Sequence, residues 1–304
     1  MITECIREGF KLANKNVQLV IISAIVSVIN LISFFIILGL PVIAALLYLG
    51  FDLAHARDML PSILRDPSEL VTNYLGVIFL IVTSFVLYLA FTTVLSVYAL
   101  GGTIGVLKDS AVNIHYNFTL ASFFREAKNN LSRLLGLISL VMLGVIGMFV
   151  LFMITGGLVA GVINAVTKSK SMLEMFFSSF ALLSIIVFTI GLFFAGLVFG
   201  VYSVVLLVTD GKGVMDSLGR TYQFLRQTPE ALLFYFILIV GFVSANAIFY
   251  GIQIAVSVIP LFMPVVYIIN TVFQSYLAIA VWSFLIVYYL KKSNYHARHV
   301  AYEI

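Results

Sequence analysis

The sequence predicts an all-α polytopic membrane protein with six transmembrane helices, interfacial amphipathic helices and three elbow-plus-hairpin repeats, all in one integral membrane domain over 1–304. Three observations predict it. First, all 30 Asp, Glu, Lys and Arg residues lie outside five windows, 17–51, 70–107, 134–167, 175–209 and 231–290. A hydrocarbon core about 30 Å thick is crossed by about 20 helical residues, so four windows hold one span each and the fifth, of 60 residues, holds two. Second, with alternating spans, 13 of the 17 Lys and Arg fall on one side, leaving Arg57, Arg65, Lys168 and Lys170 on the other. This asymmetry predicts a multi-pass protein of the cell membrane with both termini cytoplasmic. Third, a polar and apolar stretch carrying an arginine recurs before each odd-numbered span.

Composition excludes the competing classes. With 62% hydrophobic and 10% charged residues, the chain is far from the roughly 25% charged content of soluble domains. The windows are apolar on every face, whereas barrel strands alternate, so helices are left as the way to satisfy a buried backbone. A net charge of +4 invites a nucleic-acid reading, but the charge sits where topology and anionic headgroups need it, so no nucleic-acid partner is expected. The single cysteine, Cys5, excludes an intramolecular disulfide and reads as an apolar contact.

In chain order, the N-terminus has acidic residues where a cleavable leader is basic. Its apolar run also exceeds the about 7–15 residues of a leader, so it is expected to stay as span one. The spans are placed at 17–40, 71–100, 134–160, 176–208, 231–258 and 266–290. Pro41 and the pair Gly156 and Gly157 mark kinks or span ends. Pro260 and Pro264 mark the turn inside the fifth window, and the 51–70 connection reads as a short external interfacial helix. Laid over one another without gaps, Ile2-Thr-Glu-Cys-Ile-Arg7, Leu120-Ala-Ser-Phe-Phe-Arg125 and Met215-Asp-Ser-Leu-Gly-Arg220 share apolar spacing and the arginine. They define repeat-like units of about 1–107, 118–209 and 213–304. Ile2, Ile6, Phe10, Leu120, Phe123 and Phe124 are expected to dip into acyl chains, while Arg7, Lys11, Arg125 and Lys128 face headgroups. A solvated linker helix is the alternative.

The segment Val205-Leu-Leu-Val-Thr-Asp210-Gly-Lys-Gly-Val-Met-Asp-Ser-Leu-Gly-Arg220-Thr-Tyr-Gln-Phe-Leu-Arg226 resembles an element of an uncharacterised multi-span family. In that family a span ends in an acidic residue and glycine, followed by an amphipathic helix and the next span. The family includes the membrane domain attached to some glycerophosphodiester phosphodiesterases, and the resemblance implies a similar span layout. Asp210 stands where the resemblance calls for glutamate, and Thr221 where it calls for serine. The chain has no soluble region large enough for the phosphodiesterase barrel, so no activity carries over.

Candidate chemistry is sparse. His296, His299 and Glu303 share a helical face, and Asp52, His55 and Asp58 are spaced similarly; each set offers three ligands without a fourth, and no metal or other cofactor is expected. Asn30, Asn246, Gln253, Asn270 and Gln274 lie within spans, either as interhelical hydrogen-bonding groups or as the lining of a cavity. Gly101, Gly102, Gly105, Gly191, Gly196 and Gly200 read as close-packing positions, with a hinge or lipid portal as the alternative. The spans carry no ionisable residue at mid-membrane, which weighs against an ion-coupled carrier. Serines lack a histidine partner at depth and no HExxH, GxSxG or Walker A sequence occurs, so no catalytic residue is assigned. Asn117, Phe118 and Thr119 form a glycosylation sequon on the expected cytoplasmic side, where it stays unmodified.

These readings converge on a non-enzymatic membrane module that binds or organises lipid through Arg7, Arg125 and Arg220, or that serves as the membrane partner of another enzyme or transporter. The alternative is a permease or channel for an apolar or zwitterionic solute lined by the five amides. An intramembrane hydrolase is the third and weakest reading.

Overall fold

The computed structural model describes residues 1–48, 67–113, 115–167, 172–257 and 263–293, and among them it is helical without strands. Helix α1 spans Ile2–Lys15. Span one begins as α2, Gln18–Ser33, and continues through a π-helical turn, Phe34–Gly39, into α3, Leu40–Tyr48. The chain then forms α4, Pro67–Val112, α5, Leu120–Thr167, and α6, Met172–Asp210. It ends with α7, Val214–Gln227, α8, Glu230–Ser257, and α9, Met263–Lys292. Six stretches are long and apolar enough to cross a membrane: Gln18–Leu47, Leu75–Val112, Leu120–Ile154, Leu183–Asp210, Glu230–Val256 and Pro264–Lys292. The molecule is an all-α, multi-pass membrane protein.

Local sequence explains the irregularities. Pro41 lacks an N–H and its ring clashes with the carbonyl four residues back, and the π turn immediately before it loosens the helix there. The helix therefore passes Pro41 instead of ending near 40. Gly156 and Gly157 likewise lie inside an unbroken α5. Ser257 and Met263 bracket the expected proline turn, whose residues 258–262 lie outside those described, as does the 51–66 part of the external connection.

The helices pack in cyclic order. Helices α4, α6 and α9 touch one another at the centre. Around them, α2 lies against α9 and α4, α5 against α4 and α6, and α8 against α6 and α9. Each of α5 and α8 thus sits between the central helix that follows it and the one that precedes it in the chain, and the series closes because α2, before α4, packs with α1 on α9. The amphipathic stretches follow the same rule: α1 packs on α9, the start of α5 on α4, and α7 on α6.

The junction of α1 with α9 is antiparallel and tight. Lys291 meets Glu8 at 2.8 Å and Glu4 at 3.7 Å. Gly9 lies on Phe284, the Phe10 ring meets the Phe284 ring edge-on at 4.8 Å, and Tyr276 donates to Asn14 at 2.8 Å. At the second junction the glycines of α4 admit the start of α5: Gly102 faces the Phe123 ring and Gly105 faces the Glu126 side chain. A small residue is required at such crossings because any Cβ would occupy the partner's space.

These contacts correct two expectations. Of the six apolar residues expected to dip into acyl chains, Phe123 is buried against Gly102, and Ile2 and Ile6 are half-buried against the core. Phe10, Leu120 and Phe124 remain exposed. The second amphipathic stretch is also not a separate elbow, since it runs unbroken into its span. At 48 residues α5 is about 72 Å long, more than twice the about 30 Å hydrocarbon thickness, so it projects into the aqueous phase.

Burial also fixes the register of the three stretches. Cys5, Gly9 and Leu12 are buried in the first, and Phe123, Ala127 and Asn130, their gap-free counterparts, in the second. In the third, Ser217 and Thr221 are buried, while Tyr222, the counterpart of Gly9, is 61% exposed. The third helix turns inward one residue earlier than the gap-free overlay implies. Arg220 then occupies the place of Glu8 and Glu126, not that of Arg7 and Arg125.

The core is concentrated at the end carrying these helices. It includes Ile104 and Leu107 of α4, Tyr202 and Leu206 of α6, and Leu285 and Tyr288 of α9. Towards the opposite end the spans diverge, leaving Phe79, Leu143, Phe149, Phe188 and Ile248 largely exposed. Lipid tails complete the packing of such surfaces in a membrane.

Candidate functional site

The three arginines proposed for headgroups have different surroundings. Arg7 is exposed on α1 and makes no ion pair among the described residues. Arg125 is exposed and lies 3.6 Å from Glu126. Arg220 donates to Asp210 at 2.7 Å, and Asp210, only 8% exposed, also accepts from the Tyr289 hydroxyl at 2.8 Å. Asp210 ends α6, and Gly211 follows with φ +65°, the left-handed conformation that closes a helix and that glycine adopts without strain. The Asp-Gly pair is thus a helix stop whose carboxylate fastens α7 and α9 to α6.

The five amides are not brought together. Gln274 donates to the Asn246 side-chain oxygen, joining α9 to α8, and Asn246 in turn donates to the Phe242 carbonyl at 2.9 Å. Asn30 is half-buried, and its Oδ1 has no hydrogen-bond partner among the described residues. Gln253 and Asn270 are half-buried on α8 and α9. None of the five lines any of three crevices formed between the spans by described residues.

Those crevices are apolar. One, about 480 Å³, lies between α5 and α6 and is lined by residues such as Val145, Phe149, Phe152, Phe188 and Phe193, with Thr189 its one hydroxyl. A second, about 270 Å³, continues along the same seam towards the buried end through Leu137, Val141, Gly196 and Gly200 to Trp282. A third, about 250 Å³, lies between α6, α8 and α9 and shares Val201 and Trp282 with the second. Gly196 and Gly200 do face α5 as expected: a Cβ there would meet Met148 at 3.3 Å and Val141 at 3.7 Å, while Gly191 faces open space.

Sequence reasoning passed over two cations beside this seam. Arg133, one turn before Leu137 on α5, donates to the Gly211 carbonyl at 2.9 Å, and the adjacent Lys212 is exposed. Val214 sits 3.5 Å from where a Cβ on Gly136 would lie, so the 211–214 connection crosses the end of the seam. The only available sequence signal was Arg133 aligning with Lys15, which says nothing of its partner.

Cys5 is fully buried, and burial pushes its thiol above the usual range. Among the described residues no three His, Cys, Asp or Glu side chains are grouped to hold a metal, and the sets containing His55 and His296 lie outside them. What the described residues offer is apolar volume inside the bundle and cations at one end.

Fold and site together define a polytopic membrane protein with apolar interhelical crevices. No family model, curated protein or solved structure matches the chain.

Proposed function

We propose that the protein is a non-enzymatic membrane module that binds or organises lipid in the cell membrane, with both termini on the cytoplasmic side. The observation that carries this reading is the α5–α6 seam, whose lining is apolar throughout save Thr189 and the indole N–H of Trp282. Water or a polar solute would find almost no hydrogen-bonding partner on such walls, whereas an acyl chain matches them. Thirteen cations on the side of α1, α7 and the end of α9 support the orientation. The resemblance of 205–226 to a membrane domain attached to phosphodiesterases supports a further role, as the membrane partner of a separately encoded enzyme.

The permease reading gains no comparable support, because two of its five amides are bonded to each other and none lines the three crevices formed by the described residues. The test is to purify the protein in mild detergent, wash extensively and assay retained phospholipid. Lipid retained in fixed proportion to protein supports the reading; none above a protein-free mock purification overturns it.

A further inference from the structure

We infer that the α5–α6 seam is the site of a single anionic phospholipid, with its phosphate at Arg133 and Lys212 and one acyl chain running away from them along Val141 and Phe193. This rests on the lipid-binding reading and assigns it a place. The two crevices of the seam share Val145, Met148 and Phe193, so they form one trough. From Leu137 to Phe152 the trough follows 15 residues of helix, about 22 Å. A single leaflet contributes about half of a 30 Å hydrocarbon core, so the trough accommodates a chain from one leaflet along its whole length.

Charge selects the headgroup and sets its end. Arg133 uses one guanidinium N–H on the Gly211 carbonyl and retains other donors. Lys212, on the connection that packs beside Gly136 one residue before Leu137, is exposed and makes no ion pair among the described residues. Asp210 is neutralised by Arg220, and the remaining carboxylate of this stretch, Asp216, is exposed on α7. Two cations therefore face one free carboxylate at the mouth, an excess suited to a phosphodiester with an uncharged alcohol such as glycerol. The opposite end of the trough, around Phe152 and Phe188, has no such charge among its lining residues.

The chain contains one tryptophan, Trp282, and it lines the charged half of the trough, so it reports occupancy directly. The protein is reconstituted in phosphatidylcholine vesicles doped with phosphatidylglycerol carrying a brominated acyl chain, a contact quencher of indole. Saturable quenching is expected at low mole fraction, absent with brominated phosphatidylcholine at the same fraction. Lys212→Gln is expected to raise the half-saturating fraction about fivefold, since a cation near an anionic lipid contributes about 1 kcal/mol. Val141→Phe, which places a ring beside Gly200, is expected to abolish the saturable phase. Quenching that rises in proportion to mole fraction, equally for both headgroups, or that neither variant alters, overturns the assignment. Should Val141→Phe fail to fold, Lys212→Gln decides alone. Lipid retained on purification without saturable quenching defeats the trough and leaves the broader reading intact; no retained lipid defeats both.

Discussion

Two glycines in the amphipathic helices are expected to respond to alanine with opposite sign. A Cβ built on Gly9 would stand 2.3 Å from the Phe284 Cδ1 and 3.0 Å from the Phe284 Cα and N. The ring can swing aside, but the backbone atoms cannot, so α1 must move away from α9. Overpacking of this kind costs about 1–3 kcal/mol, and alanine returns about 1 kcal/mol of helix propensity. Separation also loosens the Lys291 contacts with Glu4 and Glu8 and the Phe10–Phe284 edge contact. A net destabilisation of about 1–2 kcal/mol is expected. On α7, Gly219 has nothing within 4 Å of its added Cβ, so Gly219→Ala gains propensity alone, up to about 1 kcal/mol. Denaturant titration of the two variants in mixed micelles, followed by Trp282 fluorescence, measures the difference. Cys5 gives a second readout, because it is buried at the same junction and becomes open to alkylation when α1 lifts. If Gly9→Ala were as stable as Gly219→Ala and Cys5 stayed protected, the close α1–α9 crossing would be refuted.

Three further outcomes follow from the contacts described. Cys5 in the native protein is expected to resist maleimide under conditions that label a free thiol, because burial both hides the thiol and favours its protonated form, and to label fully after denaturation. Rapid labelling of native protein at neutral pH would contradict this. Arg220→Gln should lower stability by about 1 kcal/mol by removing a charge-assisted bond from the buried Asp210, whereas Arg7→Gln should fall within about 0.5 kcal/mol of the parent. Equal effects would show that the two arginines are equivalent after all. A double-mutant cycle of Asn246→Leu and Gln274→Leu should give a coupling of about 0.6 kcal/mol, the usual size for a hydrogen bond between membrane helices. Additive single effects would place the two side chains apart.

The spans and their order were legible because charge is excluded from hydrocarbon, and the chain keeps every Asp, Glu, Lys and Arg out of long windows. The span ends were less legible where helices run past the bilayer: α5 begins at Leu120, not near 134, and α2 with α3 continues to Tyr48 beyond Pro41. Which helices lie at the centre could not be read at all. A lipid-facing leucine and a core leucine have the same chemistry, so spans apolar on every face carry no stripe to point inward. Gly101, Gly102 and Gly105 did announce close approach, yet only the fold shows that Phe123 and Glu126 fill the space. Arg220 was misplaced by one residue because a short overlay was anchored on its arginine, whereas the buried face is set by Ser217 and Thr221. Arg133 was overlooked because its carbonyl partner, Gly211, is 78 residues away.

The cyclic closure has a consequence in time. Helix α1 packs on a helix made much later: Glu8 and Lys291 are 283 residues apart in sequence. Until α9 is made, the α1 face formed by Cys5, Gly9, Leu12 and Ala13 therefore lacks its main native surface and has only α4 to meet. Contacts this distant in sequence form late, and an unpaired apolar face is what folding assistants and proteases recognise. A nascent chain stalled before α9 would thus expose this face, and capture of α1 would mark the arrival of α9.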